Sequence, residues 1–447
     1  MEKVIVGISG GVDSAVAALL LKQKGYDVEG LFMRNWDSNI NNDILGNPNS
    51  NLNICPQEQD YNDALELCNK LGIKLHRIDF IKEYWDYVFT YFLEELKKGY
   101  TPNPDLLCNR FIKFDLFIKE AEKLGADYVA TGHYARIKDG KLLRAVDLNK
   151  DQTYFLADVR PQKFRNVLFP VGDYTKPEIR KIASENNLNV ANKKDSTGIC
   201  FIGERNYQKF IENYLKPNPG DIIDVETNTV IGKHNGLMNY TIGQRRNVGI
   251  SGNTQRHYVC GKNVAKNILY VAFGEDNKYL LSDECIIENV NFISGLRPTF
   301  CTAKFRYRDT DHPVELNYLE NGNIQVKYPG LAKAVTPGQA CVLYLGEDAQ
   351  MPVQYARWEI PVDTQLECYE CMPGMIGRIG MTLGGQQLEI RPDEDGEERI
   401  ISLDVTIDCD IKIYEDHKIS YIDDGYSMEE TLIPEYHMFD FETLVGK

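Results

Sequence analysis

The chain has 447 residues, of which 43% are hydrophobic and 26% are charged, and its formal net charge is −16. Its length exceeds what one hydrophobic core normally organises, and its composition excludes a disordered, fibrous or collagen-like protein. No apolar run approaches the length of a membrane-spanning helix, and the N-terminus lacks a basic and apolar leader. We therefore expect a cytoplasmic protein of several domains without a membrane partner.

The negative charge is concentrated at the C-terminus. From Met351 onward there are 7 Lys and Arg against 22 Asp and Glu, a net charge of −15, so the preceding residues are close to neutral. A near-neutral region can carry a basic face for a nucleic acid, whereas the acidic tail is a poor candidate for one. The eleven cysteines are an odd number and mostly isolated, which indicates reduced thiols rather than a disulfide framework.

The first 135 residues alternate short apolar runs with helix-like runs, an order typical of a doubly wound parallel sheet. Gly25, Gly72 and Gly125 close three of the helix-like runs, as C-terminal caps do. A polar insertion of about 25 residues follows the second predicted strand, and loops of that length are usually functional or mobile. The predicted strands are 4–8, 27–33, 74–80 and 127–133, and the predicted helices are 14–25, 61–72 and 112–125.

The later segments change character along the chain. Short helical pieces around residues 154–192 give way to glycine-punctuated strands, then to short alternating strands, and finally to an acidic, strand-rich tail. The prediction is an α/β fold with four parts. These are a catalytic domain at 1–205, a small mixed linking domain at 206–278, a β-barrel domain at 279–348 and an appended acidic β-rich domain at 349–447.

The stretch SGGVDS, Ser9 to Ser14, lies between the first predicted strand and the first predicted helix. Glycines at such a turn let backbone N–H groups approach an anion, and a helix N-terminus adds unpaired donors and the positive end of its dipole. A helix cap with turn glycines would also explain SGG alone. The loop is neither GxxxxGK[ST] nor a complete GxGxxG, which disfavours the common triphosphate and dinucleotide sites.

With the apolar strand before it, SGGVDS resembles the pyrophosphate loop of the N-type ATP pyrophosphatases. These enzymes cleave ATP between the α and β phosphates and activate a carbonyl oxygen as its adenylate. The resemblance implies that ATP is a substrate and that Asp13 lies near the pyrophosphate or its Mg²⁺. The ATP-binding residues that it implies are Gly7, Ile8, Ser9, Gly10, Gly11, Val12, Asp13, Ser14, Met33 and Gly132.

Two cysteines have sequence settings that suit reactive thiols. Cys108, in TPNPDLLCNRFIKF, precedes a basic amphipathic run, so a position near a helix N-terminus beside Arg110 and Lys113 would raise its thiolate fraction. Cys200, in KKDSTGICFIGERNY, lies in a glycine-containing turn after two lysines. Either cysteine alone is more simply explained as a buried inert thiol. Together with an adenylating loop, the pair favours sulfur insertion.

Eight motifs in this order resemble the tRNA-specific 2-thiouridylase family, over about Met1 to Glu347. The resemblance implies ATP-dependent adenylation of O2 of the wobble uridine, and then persulfide sulfur transfer that gives 2-thiouridine, AMP and pyrophosphate. It also implies tRNA and a sulfur-carrier or cysteine desulfurase protein as partners. The motifs are SGGVDS, MRNWD, CPQEQD, TPNPDLLCNRFIKF, ATGHYAR, KDQTYFL, DSTGICFIGERN and NYTIGQRR.

By this resemblance Cys200 carries the persulfide, and Cys108 either attacks C2 or resolves the persulfide through a transient disulfide with Cys200. Asp105 is the implied general acid and base. The loop at 103–105 would contact the target base, which must leave its stack to react. On the residues alone, His133 could simply end a strand. The implied tRNA contacts are Asn103, Pro104, Asp105, His133, Lys150, Asp151, Gln152, Arg306, Tyr307 and Gln339.

Two alternatives stay open. Other enzymes share this loop, so the chain could be another ATP-pyrophosphatase ligase, such as an amidating synthetase, in which the cysteines are incidental. The second alternative is a non-catalytic nucleotide-binding or scaffold protein.

The tail provides little chemistry. Cys368 and Cys371 form one CxxC without a second pair, so we expect two ordinary thiols and no metal site. The run from Arg399 to Ser427 resembles an all-β domain of clostridial sporulation-envelope proteins. Because its negative charge should repel tRNA, we expect the tail to bind a protein partner or to be an unrelated fusion.

Overall fold

The computed structural model describes residues 1–45, 47, 56–138, 140–194, 202, 205–250 and 256–345, and the backbone of six strands between residues 379 and 431. Contacts within the chain define two units. One comprises residues 1–295, 302–313 and 318–344, and the other comprises residues 296–301, 314–317 and 345–447.

The first sheet consists of five strands, which are Lys3–Gly7 (β1), Asp27–Arg34 (β2), Leu75–Asp79 (β3), Tyr128–Ala130 (β4) and Val167–Leu168 (β7). Their order is β3-β2-β1-β4-β7 and every neighbouring pair is parallel. The strand order reverses between β1 and β4, where sheets of this type bind ligands at the carboxyl ends of the strands. The predicted doubly wound parallel sheet is confirmed. A separate hairpin, Ala135–Lys138 (β5) and Lys141–Arg144 (β6), follows β4.

Helices cover both faces of this sheet. Ile5 of β1 packs into one hydrophobic cluster, whereas its neighbours Val4 and Val6 pack into the other, as expected for a strand that is buried on both sides. The helices are Val12–Gln23 (α1), Pro56–Leu71 (α2), Ile81–Tyr84 (α3), Thr90–Lys97 (α4), Pro104–Leu107 (α5), Phe117–Lys123 (α6), Thr153–Leu156 (α7), Lys176–Glu185 (α8) and Tyr207–Glu212 (α9).

Irregular helical turns link several of these helices. The π-helical segment Trp85–Phe89 joins α3 to α4, and the π-helical segment Cys108–Leu116 joins α5 to α6. Short 3₁₀ turns lie at Pro161–Phe164, Leu237–Asn239 and Lys278–Leu280. The predicted capping glycines 25, 72 and 125 have φ angles of 87°, 61° and 78°, which a side chain would disfavour.

Two β sheets follow the α/β region. Gly220–Asp224 (β8), Thr229–His234 (β9), His257–Asn263 (β10) and Ile268–Phe273 (β11) form a mixed sheet in the order β10-β11-β8-β9. The next sheet has the order β12-β15-β14-β13-β16. Its strands are Leu281–Ile287 (β12), Phe300–Lys304 (β13), His312–Tyr318 (β14), Ile324–Lys333 (β15) and Val342–Tyr344 (β16).

The tail contains strands, as predicted. Ile379–Leu383 (β17), Gln386–Pro392 (β18) and Glu398–Ile400 (β19) form one antiparallel sheet, and Cys409–Ile413 (β20), Lys418–Asp423 (β21) and Tyr426–Thr431 (β22) form another. Cys368 and Cys371 lie outside the described residues. The predicted domain boundaries stay predictions.

Candidate active site

The SGGVDS loop connects the carboxyl end of β1 to the first turn of α1. Gly10 has a φ of +72°, and a Cβ on it would lie 2.4 Å from the carbonyl oxygen of Asp60, so a side chain does not fit there. The Ser14 hydroxyl donates to the Gly11 carbonyl at 3.1 Å. Gly11, the N-cap of α1, provides no side-chain cap, so the first N–H groups of a twelve-residue helix point into the loop. This arrangement suits an anion.

Gly132 lies against the same loop from the carboxyl end of β4. A Cβ on Gly132 would lie 2.6 Å from the backbone nitrogen of Ser14 and 2.7 Å from the carbonyl carbon of Asp13. Met33 is near the end of the adjacent strand β2 and is 9% exposed. The structure thus brings the residues predicted to bind ATP to one edge of the sheet, at the point where the strand order reverses.

Two residues that the sequence did not indicate hold Asp13. The Lys176 ammonium lies 2.7 and 2.9 Å from the two carboxylate oxygens of Asp13, and the Tyr134 hydroxyl donates to one of them at 2.8 Å. Lys176 is the first residue of α8, which begins with a capping box of Thr175 and Glu178. A cation at a helix N-terminus opposes the helix dipole, and that mismatch was the available sequence signal.

Lys193 also fastens the loop. Its ammonium donates to the Gly10 carbonyl at 2.9 Å and to the Asp60 carboxylate at 2.7 Å, and it pairs with Asp63. Burial opposes the charge, but the two carboxylates prevail and raise the pKa of Lys193. The loop is therefore clamped to α2 by a charged lysine seven residues before Cys200.

Asp105 and Cys108 lie on one continuous helical stretch that begins at Pro104. The side chain of Asn103 caps it, since its Oδ1 accepts the Asp105 N–H at 3.1 Å. Cys108 begins the π-helical segment one turn later and is completely buried. Such π-helical turns are frequent at functional sites. Cys200 lies outside the described residues, and so does the predicted Cys108–Cys200 pairing.

Cys108 lies one turn after Pro104, the first residue of the helical stretch, and is therefore near the helix N-terminus but not in its first turn. The Arg110 guanidinium, expected to stabilise the thiolate, forms an ion pair with Asp158 at 2.9 Å. Its charge is therefore partly compensated by that carboxylate.

His133 is buried among aromatic rings. Its Nδ1 lies 2.7 Å from the Thr131 hydroxyl, and its ring centroid lies 5.6 Å from that of Phe114. Burial, with a smaller contribution from the charge of Lys113, lowers the pKa of His133 well below 6.5. A buried, neutral imidazole cannot attract a phosphate as a cation.

In the KDQ motif, the side chains of Asp151 and Gln152 form hydrogen bonds within the protein. Asp151 is buried and accepts hydrogen bonds from the Ala145 N–H at 2.9 Å and from the Thr153 hydroxyl at 2.6 Å. Burial raises the pKa of Asp151, and the hydrogen bonds to its carboxylate offset part of this rise. Gln152 Oε1 accepts the Tyr134 N–H at 2.9 Å. Lys150 is half-buried.

The three predicted tRNA contacts on the β-barrel region have different partners, and only Gln339 contacts the loop that precedes Asp105. Arg306 is exposed and donates to the carbonyls of Lys333 and Ala334, both at 2.9 Å. Gln339 Nε2 donates to the Thr101 carbonyl at 2.6 Å. The Tyr307 ring lies 4.4 Å from the ring of Phe155.

The start of the polar insertion is a packed structure built around Asp43. Its Oδ2 accepts from Arg205 at 2.7 and 2.9 Å and from the Trp36 indole N–H at 3.1 Å. The side chain of Asp43 is fully buried and that of Arg205 is 5% exposed. The pair joins the insertion to the segment just before α9, and no local sequence pattern indicates it, because the partners are 162 residues apart.

Three family models match consecutive parts of the chain. They are the tRNA methyl transferase HUP domain at residues 2–204, the tRNA methyl transferase PRC-barrel domain at 208–273 and the aminomethyltransferase beta-barrel domain at 282–349. Fold and loop therefore define a protein with a HUP-type α/β domain followed by two β domains. In the part of the chain that the structure describes, no helix has the length and apolar character to cross a membrane.

Named relatives specify the family. The tRNA-specific 2-thiouridylase of Mesoplasma florum is 55% identical over an alignment of 360 residues that covers 77% of this chain and 96% of the relative. The enzyme of the same name from Mycoplasma capricolum is 53% identical with the same coverage, and that of Acholeplasma laidlawii is 53% identical over 77% of this chain and 94% of the relative. The chain belongs to the tRNA-specific 2-thiouridylase family.

Proposed function

We propose that this protein converts the wobble uridine of certain tRNAs to 2-thiouridine, using ATP and a persulfide sulfur. The observation that carries the proposal is 55% identity with a tRNA-specific 2-thiouridylase over 96% of that relative's length. The alternative of an amidating synthetase is not favoured, because it does not account for this similarity.

The phosphate loop would bind and orient ATP. The open first turn of α1 and the side-chain-free edge at Gly10 and Gly132 leave room for phosphates beside backbone donors. Lys176 adds a positive charge at the same place. In the first step, O2 of the uridine attacks the α phosphorus, and pyrophosphate leaves. The base then carries AMP as a leaving group at C2.

Asp13 is the residue suited to hold Mg²⁺. Its carboxylate is 32% exposed on the loop, and a carboxylate together with phosphate oxygens is the donor set that Mg²⁺ prefers. The ion would offset the charge of the pyrophosphate. Within the chain itself, Lys176 and the Tyr134 hydroxyl orient the carboxylate.

The two cysteines would transfer the sulfur. The terminal sulfur of a Cys200 persulfide attacks C2 and AMP leaves. The Cys108 thiolate then attacks the Cys200 sulfur, so that a Cys108–Cys200 disulfide forms, the S–S bond to the transferred sulfur breaks, and 2-thiouridine is released. Direct attack of Cys108 on C2 is the alternative route, and because Cys108 is completely buried, either route requires its thiol to become exposed. Asp105, half-buried on the same helical stretch, would move the proton.

The tRNA would contact the exposed members of the predicted set. Arg306 is exposed beside Tyr307 and suits a phosphate, and the loop 103–105 would face the target base. His133, Asp151 and Gln152 would act by shaping the wall behind this surface, since their side chains bond within the chain. The sulfur donor would be a carrier or desulfurase protein in the cytoplasm, and the acidic tail is a candidate surface for a protein partner.

Mass spectrometry of wobble nucleosides tests the proposal. tRNA from a strain that lacks this gene should lose 2-thiouridine derivatives, and the intact gene should restore them. Accurate mass separates replacement of oxygen by sulfur from addition of a methyl group, which the descriptions of the family models would suggest. If 2-thiouridine is unchanged in the deletion strain, the proposed function is wrong, provided that no second gene restores it.

Cysteine variants test the chemistry. Cys108→Ser and Cys200→Ser should abolish thiolation, whereas tRNA-dependent release of pyrophosphate, the product of the adenylation step, should persist at least for one turnover. Cys68→Ala is the matched control, because Cys68 is also completely buried and burial raises its pKa to about 12. An amidating enzyme would keep its activity in all three variants.

A further inference from the structure

A cavity of about 480 Å³ lies beside the loop that carries Asp105. Pro102 and Pro104 of that loop form part of its wall, Tyr207 at the start of α9 forms another part, and the segment 239–247 completes it. Its volume falls in the range typical of small-molecule sites. Of its lining residues, only Pro104, in the loop expected to contact the target base, has been given a role in binding tRNA above.

The lining has the chemistry of a nucleobase site. None of the described residues that line the cavity is charged, although 26% of the chain is. A phosphate or an acidic peptide would require cations in the wall, and a purely apolar ligand would leave the Asn239 amide unpaired. Amides offer paired donors and acceptors to a base edge, and aromatic rings stack on a base face. The amides are Asn206, Gln208, Asn239, Gln244 and Asn247, and the aromatic residues are Phe92, Tyr207 and Tyr240.

Individual groups in the wall are placed for such a ligand. Tyr207 is 41% exposed, which is high for an aromatic side chain in a cavity wall. Asn239 lines the cavity, and both its amide atoms are buried without a hydrogen-bond partner in the described part of the chain. A base edge reaches this amide only when the wall shifts, and pairing with it then removes an energetic cost. Gln244 is fixed within its own turn by the Thr241 N–H at 3.0 Å and the Arg246 carbonyl at 2.9 Å.

A positive rim adjoins the uncharged wall. Arg245 and Arg246 directly follow Gln244, and both are exposed. Phosphate contacts generally position a nucleic acid, whereas contacts with the bases specify it. A nucleotide with its base in the cavity would therefore find cations for its phosphate just outside.

We propose that this cavity receives an unstacked anticodon-loop base adjacent to the target uridine, with Tyr207 as its stacking surface and Asn239 on its edge. This proposal rests on the proposed function, because it takes tRNA as the substrate and the loop 103–105 as the contact of the target base. Pro104 lines the cavity and immediately precedes Asp105, so the neighbouring nucleotide of the strand is within reach.

The test is a coupled set of RNA-binding measurements. The probe is an anticodon stem-loop RNA with a wobble uridine, either intact or with an abasic nucleotide directly 5′ or 3′ of the target. For the wild-type protein, one abasic site should weaken binding about tenfold, the usual size of one base–aromatic stack. Tyr207→Ala should weaken binding of the intact RNA by a similar factor. This variant should then bind the intact and the abasic RNA with equal affinity.

Matched variants keep the test decisive. Tyr279→Ala is the control, because Tyr279 is 42% exposed and does not line this cavity; it should retain the full abasic effect. Asn239→Leu keeps the number of side-chain heavy atoms but removes the amide, and it should also reduce the abasic effect, so it replaces Tyr207→Ala if that variant does not fold.

Failure of this proposal is distinguishable from failure of the proposed function. If wild-type protein thiolates the tRNA but both cavity variants retain the wild-type abasic effect, the cavity proposal alone is overturned. If the variants bind RNA normally but lose turnover with the sulfur-donor protein, the cavity serves that protein and the proposal is again overturned. If wild-type protein does not thiolate tRNA at all, the proposed function itself fails.

Discussion

The carboxylate of Asp13 is shared between the ammonium of Lys176 and the hydroxyl of Tyr134. The side chain of Lys176, which is 9% exposed, therefore lies at the edge of the sheet where the phosphates of ATP would bind. Fixed positive charge stabilises the negative charge that develops on a leaving pyrophosphate, and loss of one such group typically costs about 10²–10³ in rate. Lys176→Met should therefore lower tRNA-dependent formation of AMP by about that factor.

Steady-state AMP formation measures this effect, and Lys181→Met is the control. Lys181 is on the same helix, but its side chain is 74% exposed and its ion pair is with Glu185. Lys176→Arg should retain part of the activity because it keeps the charge. If Lys176→Met forms AMP at the wild-type rate, the lysine only supports the fold.

Lys262 carries a pH-dependent cost to stability. Burial lowers the pKa of its ammonium from 10.5 to about 8, while Nζ donates to the Gly99 carbonyl at 2.8 Å. Between pH 8 and the ordinary lysine pKa, the unfolded chain binds a proton that the folded chain does not, so this group makes stability rise with pH over that interval. Below pH 8 both states are protonated and the cost is constant.

Lys262→Met should remove this cost and stabilise the protein at pH 7 by about 1–3 kcal/mol, an estimate reduced by loss of the bond to Gly99. Thermal or urea unfolding of both proteins at several pH values measures it. The difference between variant and wild type should shrink as pH rises above 8. Lys266→Met, in the exposed turn between β10 and β11, should show no such trend. A constant difference at all pH values would contradict the assignment.

At the scale of elements, the buried pair of Asp43 and Arg205 ties the polar insertion to the start of α9. Removal of one partner leaves an uncompensated charge in a region closed to water, which typically costs about 3–5 kcal/mol. Asp43→Asn should therefore lower the free energy of unfolding by that amount, as measured by urea titration. Asp86→Asn is the control, since it breaks an exposed pair with Lys82 on the surface and should change little.

An Asp43→Asn protein with wild-type stability would show that Arg205 finds another partner. A double variant, Asp43→Asn with Arg205→Met, separates the two contributions, because it removes the unpaired charge as well. It should recover part of the stability that the single variant loses.

The sequence predicted the sheet better than the helices around it. A parallel strand buried on both faces must be a continuous apolar run, and glycine at a helix end has a clear steric reason, so β1, β2 and α1 were predicted within about two residues. The π-helical segments 85–89 and 108–116 were missed, because an extra residue in a turn shifts the hydrophobic period that identifies helices.

In the candidate site, too, features set by neighbouring residues were predicted and features set by distant residues were not. The phosphate loop was predicted because its residues are consecutive and its glycines have a local steric purpose. Lys176 and Lys193 were not, because they are 163 and 183 residues from their partners Asp13 and Gly10, and no local pattern connects such positions. The burial of His133 could not be predicted either, because the local sequence is the same whether a histidine at a strand end faces solvent or the core.

At the scale of the whole molecule, the β-barrel region holds the loop that precedes Asp105. Thr101 donates its N–H to the Pro337 carbonyl at 2.9 Å and accepts from Gln339 at 2.6 Å. A Cβ on Gly338 would lie 2.8 Å from the Cβ of Tyr100. The loop that carries Asp105 is therefore held by residues more than two hundred positions away in the sequence, which gives the β-barrel region a role in positioning this loop.

The acidic tail should be dispensable for thiolation. The last of the three family models ends at residue 349, and the relatives cover 77% of the chain, so the similarity that carries the proposed function does not require the tail. Residues from Met351 onward hold a net charge of −15, which should repel a polyanion. A protein ending at Glu347 should thiolate tRNA at the wild-type rate and bind it at least as tightly at low salt.

Salt dependence makes this prediction specific. The difference in tRNA affinity between the full chain and the truncated protein should be largest at low ionic strength and should fade at higher salt, because screening removes long-range repulsion. Circular dichroism and thermal unfolding confirm that the truncated protein is folded before its activity is compared. A folded truncated protein without thiolation activity would contradict the prediction and would make the tail part of the enzyme.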